Sequence, residues 1–189
     1  MANEVLQKVG TQIIFADHAA DFAGGTAKTS LEVATATDVQ IDLTGLIQAA
    51  GRESAQFDFG ATRSAAYSVM CTLEFEAAPT TGETVSLYLA PSPETTATDG
   101  NPQQIDGADA AAPSGPTTLD ELLAACMFIG AATLSADLLQ TMWVSTFQPP
   151  ERYGILIVVN NCATADFRST ATAMDETHIV FNPITDEIQ

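Results

Sequence analysis

The stretch Tyr67–Phe75 reads YSVMCTLEF, and its period of two limits what the chain can fold into more than any other feature. In an extended backbone Tyr67, Val69, Cys71, Leu73 and Phe75 point one way, while Ser68, Met70, Thr72 and Glu74 point the other. The same alternation returns in DVQIDL (Asp38–Leu43), in QFDF (Gln56–Phe59) and in VSLYL (Val85–Leu89). A sheet with one face on a core and one in water demands this pattern. Further runs of β-branched and aromatic residues lie at Val5–Phe15, Leu31–Val33, Met127–Leu134, Met142–Phe147, Ile155–Val159 and Ile179–Phe181. Together they predict about eight to ten strands.

Helix signals are few. Thr118 and Glu121 have the spacing of a capping box ahead of LLAACM, which predicts a short helix over Leu119–Ala125. Leu46–Ala50 is read as a single helical turn, and Ser135–Leu139 as a turn or brief helical excursion between two strands. No long segment of period 3.6 occurs, and strands do not alternate with helices. The expected class is therefore all-β, an antiparallel β-sandwich over residues 1–189 as one domain, with extended arms at either end.

One segment has little to bury. Ala90–Thr118 reads APSPETTATDGNPQQIDGADAAAPSGPTT, too long for a hairpin turn. It is expected to lie across the outside of the sandwich or to reach a neighbouring subunit, since loops of this length in compact domains are usually functional or mobile. By contrast PPERYGILIVVNN reads as architecture. Pro149 and Pro150 cannot donate ladder hydrogen bonds and end a strand. Arg152-Tyr153-Gly154 forms a corner, with Gly154 free to adopt unusual backbone angles. ILIVV is apolar on both faces, as a central strand covered on both sides is, and Asn160-Asn161 supplies the exit turn. Arg152 is expected to pair with a carboxylate on an adjacent loop, and no reactive role is assigned to Glu151, Arg152 or Tyr153.

With 24 acidic residues against 6 basic ones, the net charge is −18. Such a surface repels phosphate backbones and anionic lipid headgroups, so neither nucleic acid nor a membrane is an expected partner. The opening MANEVLQKVG lacks a basic-then-apolar leader, and no apolar run approaches the ~18 residues of a membrane span. Cys71, Cys126 and Cys162 are odd in number and far apart, and are read as buried free thiols rather than disulfides or zinc ligands.

Groups able to do chemistry are scarce. His18, flanked by Asp17 and Asp21, is read as part of a solvated turn, and His178 as a surface residue at a strand edge. Metal ligation needs three or four convergent ligands. Glu74 and Glu76 share a strand face and invite comparison with a glycosidase pair. The aromatic platforms of a sugar site are wanting, because Trp143, Tyr67, Tyr88 and Tyr153 sit in or beside strands. The two glutamates are read as a solvent face. Asp99, Asp106 and Asp109 are candidates for calcium but miss the EF-hand pattern. Gly24-Gly25-Thr26 lacks the lysine of a phosphate loop, and Gly100, Gly107 and Gly115 belong to the proline-rich segment. No catalytic, cofactor-binding or metal residue is assigned, and no cofactor is expected.

TFQPPERYGILIVVNN, followed by HIVFNPI, resembles the C-terminal half of virion structural proteins of tailed bacteriophages. FADHAADF, DVQIDL and TGETVSLYLAPSP resemble the same group, in pieces spread from about Phe15 to Ile184. The resemblance implies a jelly-roll-like component of a virion, such as a capsid decoration or cement subunit. It implies a homo-oligomer that contacts a major capsid protein or other virion proteins, and carries no catalytic residues with it. Two alternatives stand beside it: a tail, neck or fibre component using the 90–118 loop, and a glycan- or calcium-dependent binding module.

Overall fold

The computed structural model describes residues 10–19, 36–61, 63–96, 100–115, 117–169 and 177–184. Leu31–Val33, Gly24-Gly25-Thr26, Asp21, Asp99, the start of the Val5–Phe15 run and both arms lie outside the described residues.

Among the described residues, eleven strands and one α-helix form an all-β sandwich. The strands are β1 (Ile13–Ala16), β2 (Thr37–Gln40), β3 (Gly51–Glu53), β4 (Phe57–Asp58), β5 (Ala66–Glu74) and β6 (Thr84–Ser92). They continue with β7 (Ala110–Ala112), β8 (Met127–Thr133), β9 (Leu139–Phe147), β10 (Tyr153–Asn160) and β11 (His178–Ile184), and α1 spans Leu119–Ala125. One sheet has the order β2-β1-β11-β5-β9 and the other β7-β3-β10-β6-β8, with β4 also paired to β10. Setting aside the short additions β2, β4 and β7, the first sheet is β1-β11-β5-β9 and the second β3-β10-β6-β8. All neighbours in these two sets are antiparallel. Counted along the chain, the eight strands run 1-8-3-6 and 2-7-4-5, the strand order of a jelly roll.

The period-two residues meet between the sheets. Val69, Cys71, Leu73 and Phe75 from one side pack with Val85, Leu87, Leu89, Leu156 and Val158 from the other. Phe181 anchors the aromatic part of this core, with ring centroids 4.7 Å from Phe15 and 5.0 Å from Phe147, both edge-on. Central strand β10 is covered on both faces as its sequence predicts. Leu156 and Val158 enter the main core, while Ile155, Ile157 and Val159 enter a second one outside the sheet.

That second core answers the question of the 90–118 segment. It lies across the outer face, the first of the two expected placements, and it does bury apolar surface. Ile105 is fully buried with Leu122 of α1 against Ala90, Ile155 and Ile157, and Leu119 and Leu123 pack at the border. The segment adds a short 3₁₀ turn (Pro102–Gln104) and the edge strand β7, paired to β3 through Gly51↔Ala112 and Glu53↔Ala110. Helix α1 begins with the expected capping box. Thr118 Oγ1 accepts from Glu121 N, and the Glu121 carboxylate accepts from Thr118 N.

Several sequence expectations are corrected. Leu46–Ala50 is not helical: one tight turn closes at Leu46, whose N–H reaches Leu43 O, and a second runs from Ile47 to Ala50, with φ of +64° at Gly45 and +57° at Ala49. Of the two readings of Ser135–Leu139 the turn holds: residues 135–138 form a non-helical turn between β8 and β9, and Leu139 already belongs to β9. Gly154 is not a residue of unusual backbone angle. It lies inside β10, and a Cβ there would stand 2.6 Å from Leu89 Cδ1, so close packing rather than a turn requires glycine.

Candidate functional site

The residues weighed for chemistry are dispersed into separate structural ties. Glu74 is paired with Arg168, while Glu76 accepts from the backbone N–H of Ser169 at 3.2 Å, so both carboxylates fasten the chain after β10 to the end of β5. Asp106 accepts from Ala108 N. Asp109 accepts from Arg52 Nε at 2.6 Å and from Asp42 N at 3.0 Å, joining β7 to β3 and to the chain after β2. Among the described residues no group of three or more histidine, cysteine, aspartate or glutamate side chains converges to hold a metal.

His18 is partly buried, with Nε2 3.1 Å from Ile14 O and Nδ1 3.8 Å from an Asp38 carboxylate oxygen. His178 is corrected from a surface to a buried residue. It begins β11, which lies between β1 and β5, and pairs with Thr72 of β5. Cys71 and Cys162 are buried free thiols as expected, and Cys126 is half-buried. Burial pushes the Cys71 and Cys126 thiols up to about 12, and Cys162 to about 11. At neutral pH such thiols are protonated and poor nucleophiles.

Arg152 pairs with a carboxylate as its sequence suggests, but the carboxylate lies on a strand, β4, rather than on a loop. Its guanidinium donates from Nε to Asp58 Oδ1 at 2.9 Å and from Nη2 to Asp58 Oδ2 at 2.7 Å, a two-pronged pair between β4 and β10. Asn160 donates to Leu46 O and Ala165 O and accepts from Cys162 N, closing the turn after β10.

What the sequence did not reveal is an edge. Strands β8 and β9 end their respective sheets on the same side of the sandwich, with Gly130 of β8 packed over Val144 and Ser145 of β9. Large apolar side chains stand in water here: Trp143 is 62% exposed, Phe128 56%, Leu138 49% and Leu139 45%. Trp143 lies inside a strand, as expected, and projects from the outer face opposite Met70. Phe128 projects from the other outer face against the Tyr88 ring, centroids 5.2 Å apart. From Cys126 to Pro150 the single charged side chain is Asp137.

Local bonding shapes the turn that presents this edge. The buried Gln140 side chain donates to Ser135 O and Asp137 O and accepts from Ser135 N, while Ser135 Oγ donates to Asp137 Oδ2 at 2.7 Å. An open cavity of about 380 Å³ runs beside it, lined by Thr133, Ser135, Asp137, Leu139, Gln140 and Thr141 among others. The opposite edges differ: β2 has 4 residues, including Asp38, and β7 has 3. Short or charged strands resist pairing with another chain, whereas a long uncharged one invites it. Each of β8 and β9 also carries one extra residue against its neighbour, a bulge at Ile129 and at Val144.

No protein-family model matches the chain, and no curated protein matches it. Among solved structures it is similar to chitosan-binding module 1, derived from a chitosanase/glucanase of Paenibacillus sp. IK-5, with 12% identity and a TM-score of 0.33 over 88% of this chain and 93% of that one. At that score the two backbones differ too much for the likeness to bear on function. Among the described residues no helix is long and apolar enough to cross a membrane.

Proposed function

We propose that this chain is a non-enzymatic structural protein of a virus particle, a decoration subunit that covers and stabilises a capsid through protein–protein contacts. One observation carries the reading: an acidic sandwich leaves one long edge uncharged and apolar, with Phe128, Leu138, Leu139 and Trp143 exposed along it. Exposed apolar surface of this kind marks contact with another protein when it is continuous and rimmed by polar groups. The jelly-roll strand order supports the reading by fold analogy, since viral coat proteins use it among other proteins. The partners are a major capsid protein and further copies of this chain, and the protein acts in the virion. A specific joint needs roughly 800 Å² on each partner, and many copies on one shell multiply weak contacts into resistance to rupture.

The test is to add purified protein to capsids of a tailed phage that lack their decoration. Saturable binding with a higher disruption temperature is expected, and no binding to any capsid tried sinks the proposal. A second reading, a glycan-binding module, is favoured by Trp143, whose indole stands exposed on the outer face of β9. A glycan array, repeated with Trp143→Ala, decides it: binding that disappears in the variant would establish this reading over the first.

A further inference from the structure

Hydrogen-bond phase along β9 shows which of its backbone groups are unused by the sheet. Phe75 N donates to Leu138 O at 2.9 Å. Beyond it the pairs are Glu74↔Leu139, Leu73↔Gln140, Thr72↔Thr141, Cys71↔Met142 and Met70↔Trp143. Bonded and non-bonded pairs alternate in an antiparallel ladder. Gln140 and Met142 therefore exchange hydrogen bonds with β5. The N–H and C=O groups of Leu139, Thr141 and Trp143 point the other way, out of the terminal strand. The open cavity beside Thr133, Leu139 and Thr141 leaves room along that line.

We infer that a second copy of this chain adds here, the two β9 strands running antiparallel about a two-fold axis at Thr141, so that one sheet continues through both subunits. The inference rests on the reading of this edge as a protein-contact surface, and names its occupant. Two arguments select a second copy. The first is charge. Two molecules of net charge −18 repel, and can meet closely only where neither presents its carboxylates. The segment Leu139–Phe147 carries no charge at all. A basic partner, by contrast, would be met with acidic groups. The second is self-complementarity, which a two-fold contact requires. Pairing about Thr141 sets Leu139 of one copy opposite Trp143 of the other, twice, with threonine opposite threonine at the axis. Aromatic–aliphatic and Thr–Thr pairs are favourable cross-strand neighbours. The bulge at Val144 confines regular pairing to the Leu139–Trp143 stretch.

Sedimentation of the whole chain over a range of concentrations tests this, at about 50 mM and about 500 mM NaCl. A dimer is expected, tightening about threefold or more at the higher salt because screening removes repulsion between like-charged copies. Thr141→Pro deletes an N–H that faces away from β5, so the subunit should keep its fold while self-association weakens about tenfold or more. Trp143→Lys should do the same, and decides the matter if the proline variant does not fold. A wild-type chain that stays monomeric at both salts overturns the inference, as does a dimer untouched by both substitutions. Capsid binding separates this from the proposed function. A monomeric chain that still coats capsids ends the inference alone, and a dimer that coats none ends the proposed function alone.

Discussion

Glu53 is fully buried under the 90–118 layer, its carboxylate accepting from Ser114 N at 2.9 Å and Ser114 Oγ at 2.7 Å. Burial raises its pKa above the ordinary carboxylate value, the two serine donors oppose that, and nearby Asp106 adds to it. A carboxyl raised in this way stabilises the fold most when protonated. Its contribution is complete below the unfolded pKa and is lost as pH rises through the folded one. Glu53→Gln should therefore gain denaturant resistance relative to the wild type as pH goes from about 4 to about 7; a constant difference between the two proteins across that range would contradict it. Asp58 has the opposite sign. The Arg152 hydrogen bond holds its pKa down, so its contribution exists above the unfolded pKa and is lost as pH falls through the folded one. At Gly154 the decisive quantity is space. Gly154→Ala should cost about 1–3 kcal/mol through the clash with buried Leu89, read as a lower denaturation midpoint.

At the scale of elements, what could be read locally was read and what depended on partners was not. Helix α1 was legible because Thr118 and Glu121 cap it within one turn. Strands β3 (GRE) and β7 (AAA) carry no apolar alternation, and are strands because β10 and each other offer backbone partners. The 90–118 segment looked unburied because Ile105 is its one large aliphatic side chain, yet that residue and α1 form a core on the outside of the sheet. Ile105→Ala should cost about 2–5 kcal/mol, and release the layer to faster amide exchange before the sandwich itself unfolds. Unchanged exchange over β7 and α1 would show the layer to be held by other means. The same logic predicts that removing this segment damages the fold. Trp143 shows the converse difficulty. The sequence puts it inside an apolar strand, and only the packing of the sheets shows that its side of β9 is left open to water.

For the molecule as a whole, the two sheets share one core, in which Phe181 touches rings from β1, β4 and β9 and packs near Phe59. Phe181→Ala should cost about 3–5 kcal/mol. That is a large part of the roughly 5–15 kcal/mol that holds a domain of this kind together. Loss of both sheets in a single transition is the expected thermal behaviour, and separate transitions would argue against a shared core. By itself the amino-acid order determined that the chain is an all-β sandwich, that β10 is covered on both faces and that Arg152 is fastened to a carboxylate. The first two follow from side-chain periodicity, which survives in any arrangement of the strands; for Arg152 the order dictates only that a scarce cation in an acidic chain finds a carboxylate, and the pairing of β4 with β10 makes it Asp58. The tertiary structure alone decided the jelly-roll order, the burial of His178 and the open edge at Leu139–Trp143. Each depends on which strands become neighbours, a matter of contacts between residues far apart in the chain, and no local pattern encodes it.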